Sequence, residues 1–164
     1  MDQKFSELII YLNKNKIIPI IYGSVGVSLY LKTYRDLYSD IDLLIPNYFL
    51  KDGWRALKDL MLDSNFILTD ENEHEFTKNS TKVGFADKNI LIRDDIVSNL
   101  NELVAYPSNQ FQAFTLTPEQ FLKAYEFSST DGYRINIRGK KDKEVINLLQ
   151  SYITKISHKE DILT

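Results

Sequence analysis

The stretch from Ile20 to Pro46, IIYGSVGVSLYLKTYRDLYSDIDLLIP, limits the fold more tightly than any other part of the chain. It contains two short strand-like segments, the apolar run Ile17 to Tyr22 (beginning just upstream) and Asp40 to Ile45, whose acids run into Leu43-Leu44-Ile45. Each is too short for a helix and ends at a chain-breaking residue, Gly23 for the first, which has Pro19 near its start, and Pro46 for the second. Buried strands have this form. Between them Val25, Leu29 and Leu31 recur at helical spacing, which predicts a helix over about 24–34. Gly23-Ser24 then ends one strand and Asp40 opens the next. Those ends can be neighbours only if the strands run antiparallel or a loop folds back. A helix of about 11 residues returns the chain by ~16 Å, and residues 34–39 must make up the rest.

The remaining chain alternates in the same way. Asp2 can cap a helix with Phe5, Leu8, Ile9 and Leu12 on one face, ending near Lys16. A helix is expected over about 50–63, and a strand begins at Phe66. A hairpin joins 74–78 to 82–86 around Asn79-Ser80-Thr81. Residues 89–93 read as a further strand, 98–107 as irregular, and 111–116 as strand-like. Thr117-Pro-Glu-Gln is a helix start, with a cap, proline at the first position and Gln120 placed for a capping box. A last helix is expected from Gly139 to about Ile156. The predicted class is therefore α/β or α+β: a small mixed β-sheet with flanking helices plus a helical C-terminal segment. We divide it into a core over 1–116 and a helical segment over 117–164 packed on that core as one compact unit.

Two features of the opening stretch carry chemistry. Residues i and i+2 of a strand point to the same side, so Asp40 and Asp42 project together while Ile41 and Leu43 alternate with them. Adjacent carboxylates repel unless something positive lies between them. A hard divalent cation does this and prefers carboxylate and phosphate oxygens. With 14 aspartates in 164 residues, about one Asp-x-Asp arises from composition alone, and the plain alternative is a solvated strand end. Gly23 would let a phosphate approach the backbone, and Ser24 can cap the following helix. The plain alternative there is an ordinary strand-to-helix turn.

In combination, IIYGS and SDIDLLI resemble the signature of the nucleotidyltransferase superfamily typified by DNA polymerase β, which includes the small antibiotic and minimal nucleotidyltransferases. That signature is an apolar strand ending in Gly-Ser or Gly-Gly, a short helix, then acid-apolar-acid-apolar. The resemblance covers Ile20 to Pro46, and loosely the chain to Asp95, with a Gly-Ser to Asp spacing on the long side. It implies a nucleotidyltransferase-like core. Gly23 and Ser24 would bind phosphate, and Asp40 and Asp42 would hold Mg²⁺ or Mn²⁺. It also implies a third acid on a later strand, either the general base or a further metal ligand. Glu75 in His-Glu-Phe is the first candidate, Asp87 the second and Asp94 the third. Each is otherwise an exposed strand-end carboxylate.

Further along, Arg134, Arg138, Lys140 and Lys141 form a basic cluster. Arg138 and Lys141 are candidates to contact a triphosphate, although a solvated helix start explains the cluster slightly better. Lysines near a helix N-terminus oppose the dipole, which favours a purpose for them. Tyr125 and Tyr133 could stack on a base, but core packing is the commoner role. His74 and Trp54 read as structural.

Composition then closes off alternatives. There are no cysteines, which excludes disulfides, thiolate catalysis and cysteine-zinc sites, and only two histidines, which excludes a histidine-rich metal site. A net charge of -3 argues against coating duplex nucleic acid. The N-terminus has no apolar signal region and no apolar run approaches ~18 residues, so a cytoplasmic protein is expected. The chain is too short for a (β/α)₈ barrel. The expected activity is transfer of a nucleoside monophosphate from an NTP to a hydroxyl of a small molecule or protein, releasing pyrophosphate. The alternative is an inactive nucleotidyltransferase-fold binding module, a regulatory or toxin–antitoxin partner. Ten tyrosines and nine phenylalanines leave room for an interface with a protein partner or a second copy. A metal-dependent phosphohydrolase lacks the histidines and extra acids such sites use.

Overall fold

The structure, a computed structural model, describes the backbone of residues 3–32, 40–130 and 132–163, with side chains over the same stretches except 132–138 and 160–163. Asp2 and the loop 34–39 lie outside the described residues. In chain order the elements are α1 (Gln3–Lys14), β1 (Ile20–Tyr22), α2 (Gly23–Val27), β2 (Asp40–Ile45), α3 (Trp54–Asp63), β3 (Ile67–Asp70), β4 (Glu75–Lys78), β5 (Thr81–Asp87), α4 (Ile90–Arg93), β6 (Val104–Ala105), β7 (Phe114–Thr115), α5 (Pro118–Ser129) and α6 (Gly132–Leu163). The seven strands form one mixed sheet in the order β3-β4-β5-β2-β1-β7-β6. β1 and β2 run antiparallel, with Tyr22 opposite Asp42, whereas β2 pairs parallel with β5 and β1 parallel with β7.

Strand alternation sends two sets of side chains to the two faces of the sheet. On one face Ile21, Ile41, Leu43, Phe76, Val83 and Phe85 pack with Phe5, Leu8, Ile9 and Leu12 of α1 and Leu57, Leu60 and Met61 of α3. On the other, Ile20 and Leu44 pack with Val27 of α2, Leu91 of α4, Phe121 and Ala124 of α5, and Val145 and Leu149 of α6. The last three residues of β2 are all buried, because helices cover both faces there, whereas Asp40 and Asp42 at its start are only half-buried. The switch from Asp-Ile-Asp to Leu-Leu-Ile along this strand therefore marks where cover on the second face gives way to a cleft.

Several elements differ from the sequence expectation. α2 stops at Val27, and the Ser28 hydroxyl donates back to the Val25 carbonyl (2.6 Å), closing the helix with a local bond. Residues 89–93 are not a strand. The Asn89 amide donates to Asp87 Oδ1 (3.0 Å), turning the chain into the short helix α4. Residues 47–50 form a 3-10 turn ahead of α3. The stretch 98–107 contains β6, and the strand expected over 111–116 is confined to Phe114–Thr115. α6 starts seven residues before Gly139 and runs through it. α5 begins at the predicted box: the Gln120 amide donates to Thr117 Oγ1 (3.3 Å) and the Thr117 amide to Gln120 Oε1 (3.0 Å). No helix among the described residues is long and apolar enough to cross a membrane.

Candidate functional site

The turn from β1 into α2 sets the site. Gly23 has φ +59°, in the left-handed region that favours glycine. A Cβ at this position would collide with Asp42 Oδ2 and lie 3.0 Å from Asp42 Cγ. The Asp42 carboxylate is thus seated against the glycine backbone, a placement that follows from the antiparallel register of Tyr22 with Asp42. Ser24 lies inside the first turn of α2. The N-cap is Tyr22, with no side-chain cap bond, so the expected serine cap is corrected: the cap lies two residues earlier because the chain turns at Gly23 itself.

Across the sheet the register brings further groups to the same face. Asp40 lies opposite Lys82, Asp42 opposite Gly84, and Glu75 opposite Gly84 from the far side. A Cβ on Gly84 would lie 3.7 Å from Asp42 Oδ1 and 4.0 Å from Glu75 Cγ, ordinary contact distances. Glycine at this position leaves an open floor between the two acidic side chains. Lys82 Nζ lies 2.9 Å from Glu75 Oε1 and 3.8 Å from Asp40 Oδ2. Its side chain is 37% exposed, with Asp40 at 25% and Glu75 at 28%, so solvent screens these attractions in part.

Gly23, Asp42, Glu75 and Gly84 line a cleft of about 320 Å³ with Tyr125 and Ser128 of α5 on its wall, whereas Asp40 and Lys82 are not among its lining residues. Tyr22 also lines it and stacks on Phe121 at 6.3 Å between ring centroids, tying the cleft to the second core.

The structure brings Gly23, Asp40, Asp42 and Glu75 to one side of the sheet. Asp87 does not join them. It pairs with Ile45 at the far end of β5, on the opposite alternation, and accepts from Asn89. Asp94 follows α4 and lies 3.5 Å from Arg93 Nε. Lys141 is exposed on α6 and is not among the residues lining the cleft. Arg134, Arg138 and Tyr133 lie outside the residues whose side chains are described. His74 packs edge-on against Trp54 at 4.7 Å. Lys82 was not among the residues expected from the sequence. The hairpin was legible, and counting by twos along β5 puts Lys82 and Gly84 on one face, but the pairing of β5 with β2 has no local signal.

Two carboxylates on one strand face, with Asp42 lining the cleft and Asp40 two residues before it, fit a Mg²⁺-like ion, which takes one or two carboxylates and completes its shell with water and phosphate. Among the described residues no group of three or more His, Cys, Asp or Glu side chains is placed to hold a metal ion. Glu75 Oε1 is engaged by Lys82 Nζ at 2.9 Å.

Fold and site together define an α+β protein with a mixed seven-stranded sheet and an acid-lined cleft at its first strand-to-helix turn. The chain belongs to the family of the Bacillus subtilis (strain 168) protein described as uncharacterized protein YnaI. The two are 36% identical over 143 residues, covering 84% of this chain and 86% of the relative. No family model and no solved structure matches the chain.

Proposed function

We propose that this protein is a cytoplasmic, Mg²⁺- or Mn²⁺-dependent nucleotidyltransferase that moves a nucleoside monophosphate from an NTP to a hydroxyl of a small molecule or protein. The observation that carries this reading is the seating of the Asp42 carboxylate against left-handed Gly23, with Asp40 on the same strand face. Asp40 and Asp42 would hold the divalent ion. When bound, the ion supplies positive charge to the phosphate oxygens in the transfer. Gly23, lacking a side chain, lets a phosphate come close to the backbone beside that pair. Glu75 is the acid on this face able to take the acceptor hydroxyl's proton. The acceptor oxygen bonds to the α-phosphorus, the bond to the bridging oxygen breaks, and pyrophosphate leaves. Tyr125 on the cleft wall offers a flat surface for a base.

One observation favours a second reading. The Glu75–Lys82 contact at 2.9 Å occupies the third acid. A nucleotidyltransferase fold kept as a binding module, without chemistry and with a protein partner, would tolerate this arrangement.

A thermal-shift panel separates the two readings: ATP, GTP, CTP and UTP, each with and without Mg²⁺ or Mn²⁺, on wild type and Asp40→Asn/Asp42→Asn. Metal-dependent stabilisation by an NTP that the double variant loses is the expected result; a ligand at 100 times its Kd adds about 2.7 kcal/mol. A folded protein that responds to no nucleotide sinks the transferase reading and directs attention to protein partners.

A further inference from the structure

Lys82 is a cation that the described geometry places between two acids of this face, Asp40 and Glu75. Its position is fixed by register: it stands directly opposite Asp40 on the neighbouring parallel strand, and its side chain runs toward Glu75, two residues along the paired β4. We propose that Lys82 acts as a fixed positive charge that keeps Glu75 out of the metal set, so that the site takes a single divalent ion on Asp40 and Asp42. This inference rests on the metal-binding reading above and deepens it.

Three observations carry it. The ammonium is within hydrogen-bond distance of Glu75 Oε1 at 2.9 Å, so that carboxylate oxygen is already neutralised. The same ammonium is 3.8 Å from Asp40 Oδ2, close enough to oppose a second divalent charge between Asp40 and Glu75. Gly84 contributes no side chain of its own to the floor between Asp42 and Glu75. What excludes the second ion is the charge of the ammonium. A site with one divalent ion and one ammonium also differs in substrate demand from a site with two ions: the ammonium is a point donor that can turn toward a phosphate oxygen without leaving its strand.

The experiment is Mn²⁺ binding to the full chain in the absence of nucleotide, followed by the paramagnetic resonance signal of free Mn²⁺. The proteins are wild type, Lys82→Gln, Lys82→Arg, Lys82→Gln/Glu75→Gln and Asp40→Asn/Asp42→Asn, each checked for folding by circular dichroism. The inference expects one ion on wild type and on Lys82→Arg, and none on the aspartate double variant. On Lys82→Gln it expects a second ion, or about tenfold tighter binding of the first, with reversion when Glu75 is also replaced. Two ions on wild type, or a folded Lys82→Gln that binds like wild type while the aspartate variant loses its ion, overturns the role of Lys82 and leaves the metal site standing. Wild type that binds no more Mn²⁺ than the aspartate variant overturns the metal reading and this inference together.

Discussion

Gly23 and Gly84 both lack a side chain beside Asp42, but for different reasons. At Gly23 the backbone itself is in a conformation that costs other residues about 1–2 kcal/mol, and an added Cβ would also displace the Asp42 carboxylate. At Gly84 a Cβ meets nothing closer than 3.7 Å. Urea unfolding should therefore show Gly23→Ala destabilised by at least about 1–2 kcal/mol, while Gly84→Ala stays within about 0.5 kcal/mol of wild type. Equal losses at the two positions would contradict the seating of Asp42 on Gly23.

At the scale of elements, aromatic rings join the segment after α2 to α5 and α6. The Tyr30 hydroxyl, just past α2, donates to the Leu116 carbonyl (2.9 Å), and its ring meets Phe121 at 6.3 Å and Tyr152 at 5.8 Å. Burial pushes the Tyr30 phenol above its ordinary value of 10.0, and Tyr152 and Glu119 push the same way. The fold thus favours the neutral phenol. The stability this contributes is complete below the ordinary value and is lost as pH rises through the higher folded value. Tyr30→Phe should cost about 1 kcal/mol at neutral pH, and its stability should fall less steeply than wild type as pH climbs past 10.0. Chemical unfolding at a series of pH values measures both; parallel curves would remove Tyr30 from this role.

The elements also show what a sequence can and cannot disclose. Proximity of Gly23 and Asp40 left two routes open in the sequence, antiparallel strands or a loop folding back, and the structure takes the first, whereas the α5 start followed from its own capping box. Helix ends were harder. α2 is closed by the back-bond of Ser28, and α6 runs through Gly139 because a glycine inside a helix costs only about 1 kcal/mol, which its packed turns at Val145 and Leu149 offset. Lys82 was out of reach for another reason: its partners Asp40 and Glu75 meet only when β5 pairs with β2 on one side and β4 on the other.

For the whole molecule, the second core is shared between the two halves of the chain. Phe121, Ala124, Val145 and Leu149 come from beyond residue 116, whereas Ile20, Val27, Leu44 and Leu91 come from before it. Removing residues 117–164 would expose those four apolar side chains and uncover the cleft wall. Burying one such side chain is worth about 1.5–3 kcal/mol, so the loss is comparable with the total stability of a domain, about 5–15 kcal/mol. A truncation at residue 116 should lack a cooperative thermal transition and bind a hydrophobic dye. A sharp transition would instead show that the N-terminal part folds by itself.

The parallel seam between β1 and β7 joins residues far apart in the chain: the buried Thr115 hydroxyl donates to the Ile21 carbonyl 94 residues earlier, at 3.0 Å. At translation rates of about 5–20 residues per second, the ribosome releases the first of these strands roughly 5–19 s before the second. For that interval β1 and its glycine turn emerge with one edge open while the β3–β4–β5 hairpins, built from near neighbours, can already zip together. The acid-lined cleft is accordingly among the last parts of the nascent chain to take shape, and the newborn protein passes through a window in which an apolar strand edge is offered to chaperones or to other copies.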